Sequence, residues 1–248
     1  MMIKVMIYAA EVAECINFAK KAAKNQNAYG RSLAEVEKDT VIGKLGEAAV
    51  VKFFNYCGIE AEVNAQVYQK GQCDDADIIC NKWPIDVKTT QQKPACLRVA
   101  WSALDFRADT KKLSDYYVLT RLDPSLKQFT AAQDTWVDLL GYWDVEEFTE
   151  DNPKVKIQYF RKGTRKEPFF VVHEDLLAKN FEKLAYVIKN TVYDQHLFAD
   201  DYIPPRQHRK LSFVIKENTK PYGRFSLKMT KEEVEASSGS LEEELSLL

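Results

Sequence analysis

Residues 77–90 hold two short apolar runs, Ile78-Ile79-Cys80 and Trp83-Pro84-Ile85 with Val87, parted only by Asn81-Lys82, and acids stand in or beside each run. Two such runs with a two-residue break predict an antiparallel hairpin. Alternation along a strand sends Ile85 and Val87 to one face and Asp86 and Lys88 to the other. With Asn81 and Lys82 as the turn, Cys80 pairs with Trp83 and Asp77 falls opposite Asp86. An odd-length loop shifts that register. Opposed residues have Cβ atoms roughly 4.5–5.5 Å apart, and like charges there are destabilising. Two carboxylates so placed raise one pKa or open the hairpin unless a cation stands between them. Mg²⁺ takes one or two carboxylates together with waters and substrate phosphate. An Asp-X-Lys alone is more often the salt-bridged solvent face of an ordinary hairpin. The acid opposite, and the helix described next, turn the reading toward a site.

Thr40 to Cys57 reads as a helix. Ile42, Leu45, Ala49 and Phe53 form its apolar stripe, Val50, Phe54 and Cys57 widen it, and Gly58 suits its C-terminal stop. Gly43 and Gly46 each cost on the order of 1 kcal/mol against Ala in a helix interior, and are tolerated where something passes close to the backbone. Glu47 shares a face with Gly43, Val50 and Phe54. A carboxylate on an apolar face needs a partner; it is either a boundary residue reaching solvent or a third acid brought to the hairpin.

The rest of the chain supplies the frame. At 248 residues it is one large domain with additions and can bury a sizeable core. Residues 8–25 read as an amphipathic helix, and a second helical stretch starts at Ser32, with Asp39 capping or interrupting it. Ala61–Tyr68 alternates as a strand. Leu97–Arg107 is expected to be a helix carrying Trp101, Leu104 and Phe106. Tyr116–Leu122, Trp136–Trp143 and Phe169–Val172 read as strands, and Glu174–Lys189 as a helix. The first ten residues are apolar but too short and too interrupted for a membrane span, and make a poor signal peptide.

The formal net charge is −2, which does not advertise a polyanion ligand, but it is unevenly spread. Residues 230–248 carry a net −5, leaving +3 on residues 1–229. Six basic residues and no acid lie in 154–166 (Lys154, Lys156, Arg161, Lys162, Arg165 and Lys166), with Tyr159 and Phe160 among them. Residues 203–231 hold eight basic residues, including Arg209, Lys210 and Arg224, and one Glu. Basic stretches with aromatics suit a phosphate backbone and base stacking, and equally a solvated strand pair. Five cysteines without a Cys-X-X-Cys pair point to reduced thiols in a cytoplasmic protein. The three histidines lack metal-ligand spacing. No Gly-rich nucleotide loop, Ser-His-Asp signature or zinc spacing occurs.

Helix with an inward Glu, strand, strand with an Asp, strand with Asp-X-Lys, helix, strand: this order resembles the restriction-endonuclease-like, or PD-(D/E)XK, nuclease superfamily. The matching residues are Glu47 in Gly43-Lys44-Leu45-Gly46-Glu47, Asp77 in Asp74-Asp75-Ala76-Asp77, and Asp86 and Lys88 in Ile85-Asp86-Val87-Lys88, over roughly residues 40–122. Ala76 stands where the family pattern has Pro. The resemblance implies an α/β fold with an αβββαβ core, a central mixed sheet flanked by helices. A nuclease domain would span 1–190, followed by a basic extension over 191–231 and an acidic tail over 232–248. It implies a Mg²⁺-dependent DNA endonuclease of the restriction or phage-defence kind, with Mn²⁺ able to substitute, working as a homodimer and away from membranes; the alternatives are a structure-specific nuclease of repair or recombination and a non-catalytic nucleic-acid-binding protein on the same fold. Asp77, Asp86 and the Val87 carbonyl would bind the metal. Glu47 would bind a second metal or hold one of its waters, and Lys88 would orient the attacking water. Lys156, Arg161, Lys162, Arg165, Arg209, Lys210 and Arg224 are the expected DNA contacts.

Overall fold

The computed structural model describes residues 3–25, 30–64, 76–104, 114–126, 128–149, 151–162 and 165–190. The distal part of the expected 61–68 strand, Phe106, Cys73, and the basic and acidic stretches after residue 190, with Arg209, Lys210 and Arg224, lie outside them.

A short strand β1 (Ile3–Ile7) leads into helix α1 (Ala9–Ala22). Helix α2 (Leu33–Tyr56) follows as one continuous element of 24 residues. It is capped by Ser32, which takes the Glu35 N–H while Glu35 takes the Ser32 N–H. Asp39 lies inside this helix and neither caps nor interrupts it, contrary to both readings of that residue. The strands β2 (Ala61–Val63), β3 (Ile78–Cys80) and β4 (Trp83–Thr90) form a meander.

Strand β5 (Cys96–Ala100) and a four-residue helix α3 (Trp101–Leu104) come next. The expected 97–107 helix is thus corrected. Leu97 and Val99 are buried while Arg98 is exposed, which is the two-residue period of a strand. Strands β6 (Tyr116–Leu122), β7 (Thr135–Asp144), β8 (Lys156–Lys162) and β9 (Arg165–His173) follow. Helix α4 (Phe181–Asn190) begins later than the expected Glu174, because Glu174–Leu176 forms a separate 3₁₀ turn.

The strands make two sheets. The larger is mixed, in the order β1-β7-β6-β4-β3-β2, with β4 and β6 parallel and the other pairs antiparallel. The smaller has the order β5-β9-β8. Alternation on β4 and β6 sends Ile85, Val87 and Val118 into a core with α1, α2 and α4. Tyr117 and Leu119 point the other way, into a second core with Leu97, Val99, Phe170 and Val172 of the smaller sheet. The molecule is mixed α/β, but helices cover one face of the large sheet and a β-sheet covers the other. The central mixed sheet expected to be flanked by helices is thus present, with its helices on one face. No helix among the described residues is long and apolar enough to cross a membrane.

Candidate active site

The β3–β4 turn sets the site. Asn81 and Lys82 have φ of +46° and +72°, the two positive values of a type I′ turn, whose twist matches that of the strands it joins. Cys80 pairs with Trp83 and Ile78 with Ile85, so the next position in register sets Asp77 against Asp86. Asp77 accepts the Val87 N–H at 2.8 Å, which holds its carboxylate against β4. Asp86 is fully buried, and the Lys88 ammonium donates to its Oδ1. Lys88 remains about one third exposed. Asp77, Asp86 and Lys88 are therefore brought together on the hairpin, and Asp86 and Lys88 lie on the sheet face shared with Tyr117 and Leu119.

Glu47 is delivered from the helical layer. Gly46 is what lets α2 sit so low: a Cβ there would lie 1.9 Å from Thr89 Oγ1 and 2.6 Å from Thr120 Oγ1. Gly43, by contrast, has open space around it, so close packing does not explain that glycine. Glu47 is 6 % exposed and takes the Lys44 ammonium at 2.6 Å. Lys44 also donates to the Asn64 carbonyl at 3.0 Å. The Asn64 backbone N–H donates to the Asp77 carbonyl at 2.9 Å, and its amide to the Ala76 carbonyl at 3.3 Å. A chain of polar contacts thus runs from Glu47 through Lys44 and Asn64 to the backbone of Asp77. Nothing in the sequence alone marks Lys44 and Asn64 as parts of this chain of contacts, beyond the i, i+3 spacing of Lys44 and Glu47. On the other side Glu47 faces α1, where burial first and the Glu47 charge second push the Cys15 thiol up to about 12.

Hard carboxylate oxygens from two adjacent strands are a donor set that suits a divalent cation with waters completing its shell. The Val87 carbonyl belongs to the same segment of β4. Glu47 is not part of a three-acid cluster: among the described residues no group of three or more His, Cys, Asp or Glu stands close enough to hold one ion. Of the expected DNA contacts, Lys156, Arg161, Lys162 and Arg165 fall on β8 and β9, with Lys156 exposed. No family model, curated protein or solved structure matches this chain.

Proposed function

We propose that the chain is a divalent-cation-dependent nuclease that hydrolyses phosphodiester bonds in DNA, of the restriction or phage-defence kind. The observation that carries this reading is the hairpin register, which sets Asp77 against Asp86 with Lys88 beside them. The order of α2, β2, β3 and β4, with β6 parallel to β4, is compatible with the core the family resemblance calls for, but β5 and the short α3 stand where that core has its helix. Asp77, Asp86 and the Val87 carbonyl would hold Mg²⁺ or Mn²⁺; the family resemblance gives Glu47 a second ion or one of its waters. The ion's part is to lower the pKa of water and to neutralise charge on the phosphate oxygens. Lys88 moves from Asp86 to the scissile phosphate, where its ammonium orients the attacking water and stabilises the developing charge. Asp77 is held against β4 by the Val87 N–H. Two such sites in a homodimer of a cytoplasmic protein would cut both strands.

Plasmid DNA is the test. Cutting is expected in Mg²⁺ or Mn²⁺, none in EDTA, and a loss of about 10²–10³-fold in rate for Lys88→Ala and Asp86→Asn, the range for removing one group that stabilises a transition state. Undiminished cutting in EDTA would rule the mechanism out. The second reading is a nucleic-acid-binding protein without chemistry. It is favoured by the two ion pairs, Lys44–Glu47 and Lys88–Asp86, which balance the acids internally. Titration calorimetry with Mg²⁺ separates the two: binding lost in Asp86→Asn supports the nuclease.

A further inference from the structure

We propose that the β8–β9 hairpin is a ribbon that enters the major groove of double-stranded DNA, an inference that rests on the DNA reading above for its ligand class but not on hydrolysis. β8 is the outer strand of the small sheet. The β5 pairing stops at Ala100 opposite Phe169, whereas β8 and β9 stay paired to Lys162 opposite Arg165. The outer pairs therefore run on as a two-stranded ribbon within that sheet.

Its sequence is unusual for a free-standing strand pair. Register sets Arg161 against Lys166 and Lys162 against Arg165, so basic residues oppose basic residues in two successive pairs. Like charges directly opposite one another destabilise a sheet. No acid occurs in 154–166, and the next residue, Glu167, pairs with Phe160. Such a ribbon gains most from an external polyanion, and Lys154 and Lys156 extend the charge along exposed positions.

The shape selects among polyanions. A two-stranded β-ribbon fits the major groove of B-form DNA, while the A-form RNA major groove is too deep and narrow for side chains to read. Single strands are held by rows of aromatic rings. Here Phe160 is engaged edge-on by Phe169 at 5.2 Å and lies under the Arg98 guanidinium, leaving Tyr159, 67 % exposed, as the ring open to a ligand on β8. The small sheet also covers the same face of the large sheet that carries Asp86 and Lys88.

Fluorescence anisotropy in EDTA, where the proposed cutting is silent, tests the ribbon with one sequence as duplex DNA, duplex RNA and single-stranded DNA. The duplex DNA is expected to bind at least about tenfold tighter than either of the others, and the salt slope of that binding to fall by about one for each phosphate-contacting residue removed. Arg161→Ala with Lys166→Ala, and separately Lys162→Gln with Arg165→Gln, should weaken duplex binding. Neither should lower the thermal midpoint, because each removes opposed like charges. Lys20→Ala with Lys183→Ala, on exposed positions of α1 and α4, is the control and should bind as the unaltered chain. Equal affinity for single strands, or ribbon variants with unchanged affinity and salt slope, would overturn the ribbon. Ribbon-dependent duplex binding without cutting in Mg²⁺ would leave it standing and remove the nuclease reading. Cutting by chains whose ribbon variants bind normally would do the reverse.

Discussion

Lys52 is the described lysine most completely withdrawn from water, 4 % exposed near the C-terminal end of α2. Its ammonium donates to the Met6 carbonyl at 2.9 Å and to Glu11 at 2.7 Å, and it lies 4.0 Å from the centre of the Tyr8 ring. Glu11 also accepts the Tyr8 N–H at 2.7 Å, so one carboxylate caps α1 and neutralises α2. Removing one partner of a buried pair leaves an uncompensated charge, whereas replacing the charge by an apolar chain of similar length costs far less. Glu11→Ala is therefore expected to destabilise by about 3 kcal/mol and Lys52→Met by about 1 or less, read from urea unfolding midpoints. Equal losses in the two variants would mean the contact is packing rather than charge. This pair was not legible beforehand. A lysine between Val51 and Phe53 in an apolar run announces burial, but its partner lies far upstream with no fixed spacing to find it by. Asp77, Asp86 and Lys88 could be read because a two-residue turn leaves only one register.

At the scale of elements, α2 shows two glycines in one helix with different causes. Gly46 carries the close approach of α2 to β4 and β6, where Thr120 donates to Thr89 at 3.0 Å directly beneath it. Gly43 meets nothing. Gly43→Ala should then raise stability by about 1 kcal/mol, the ordinary helix gain, while Gly46→Ala loses more than that gain through the clash with both threonines. Thermal midpoints measured side by side decide it, and a Gly46→Ala chain as stable as its parent would contradict the packing described. If α2 is pushed off the sheet, Glu47 goes with it, so the same variant should also lose the proposed DNA cutting. Which elements were readable follows from how local their cause is. β6 and β7 are apolar enough to be found from composition, and the hairpin from its turn. Residues 97–107 read as a helix in sequence, since Leu97, Trp101 and Leu104 fall at helical spacing. The strand character of β5 comes from β9, more than sixty residues on, through pairs such as Val99 with Phe170. The start of α4 is likewise set from afar: Ala178 is tied to Tyr142 by paired backbone hydrogen bonds, which hold that stretch out of the helix.

Considered whole, the molecule is a large sheet with an apolar core on each face, and its thiols report on how tightly the helical core is shut. The four described cysteines are unpaired, and Cys15, Cys57 and Cys80 belong to that core or pack against it. Burial raises Cys15 and Cys57 from 9.0 to about 12 and raises Cys80 as well. Tyr116 is raised too, by burial and then by the Asp144 charge. Each group keeps its proton in the folded chain at a pH where the unfolded chain has lost it. Between about pH 9 and 12 the unfolded state therefore binds fewer protons, and stability falls as pH rises. Below pH 9 that contribution is fully present. Lys179, which burial lowers, acts in the opposite sense and offsets part of the fall. A single such thiol contributes a slope of up to about 1.4 kcal/mol per pH unit inside its window. Urea midpoints should hold steady from pH 7 to 8.5 and drop steadily by pH 10.5, and Cys15→Ala with Cys57→Ala should flatten the drop even though it lowers stability at neutral pH. The same burial predicts that iodoacetamide at pH 8 leaves Cys15 and Cys80 unmodified until urea unfolds the chain. Alkylation of either in the native state, or a midpoint indifferent to pH through 10.5, would show that the core between α1, α2 and the large sheet opens to water far more readily than its packing allows.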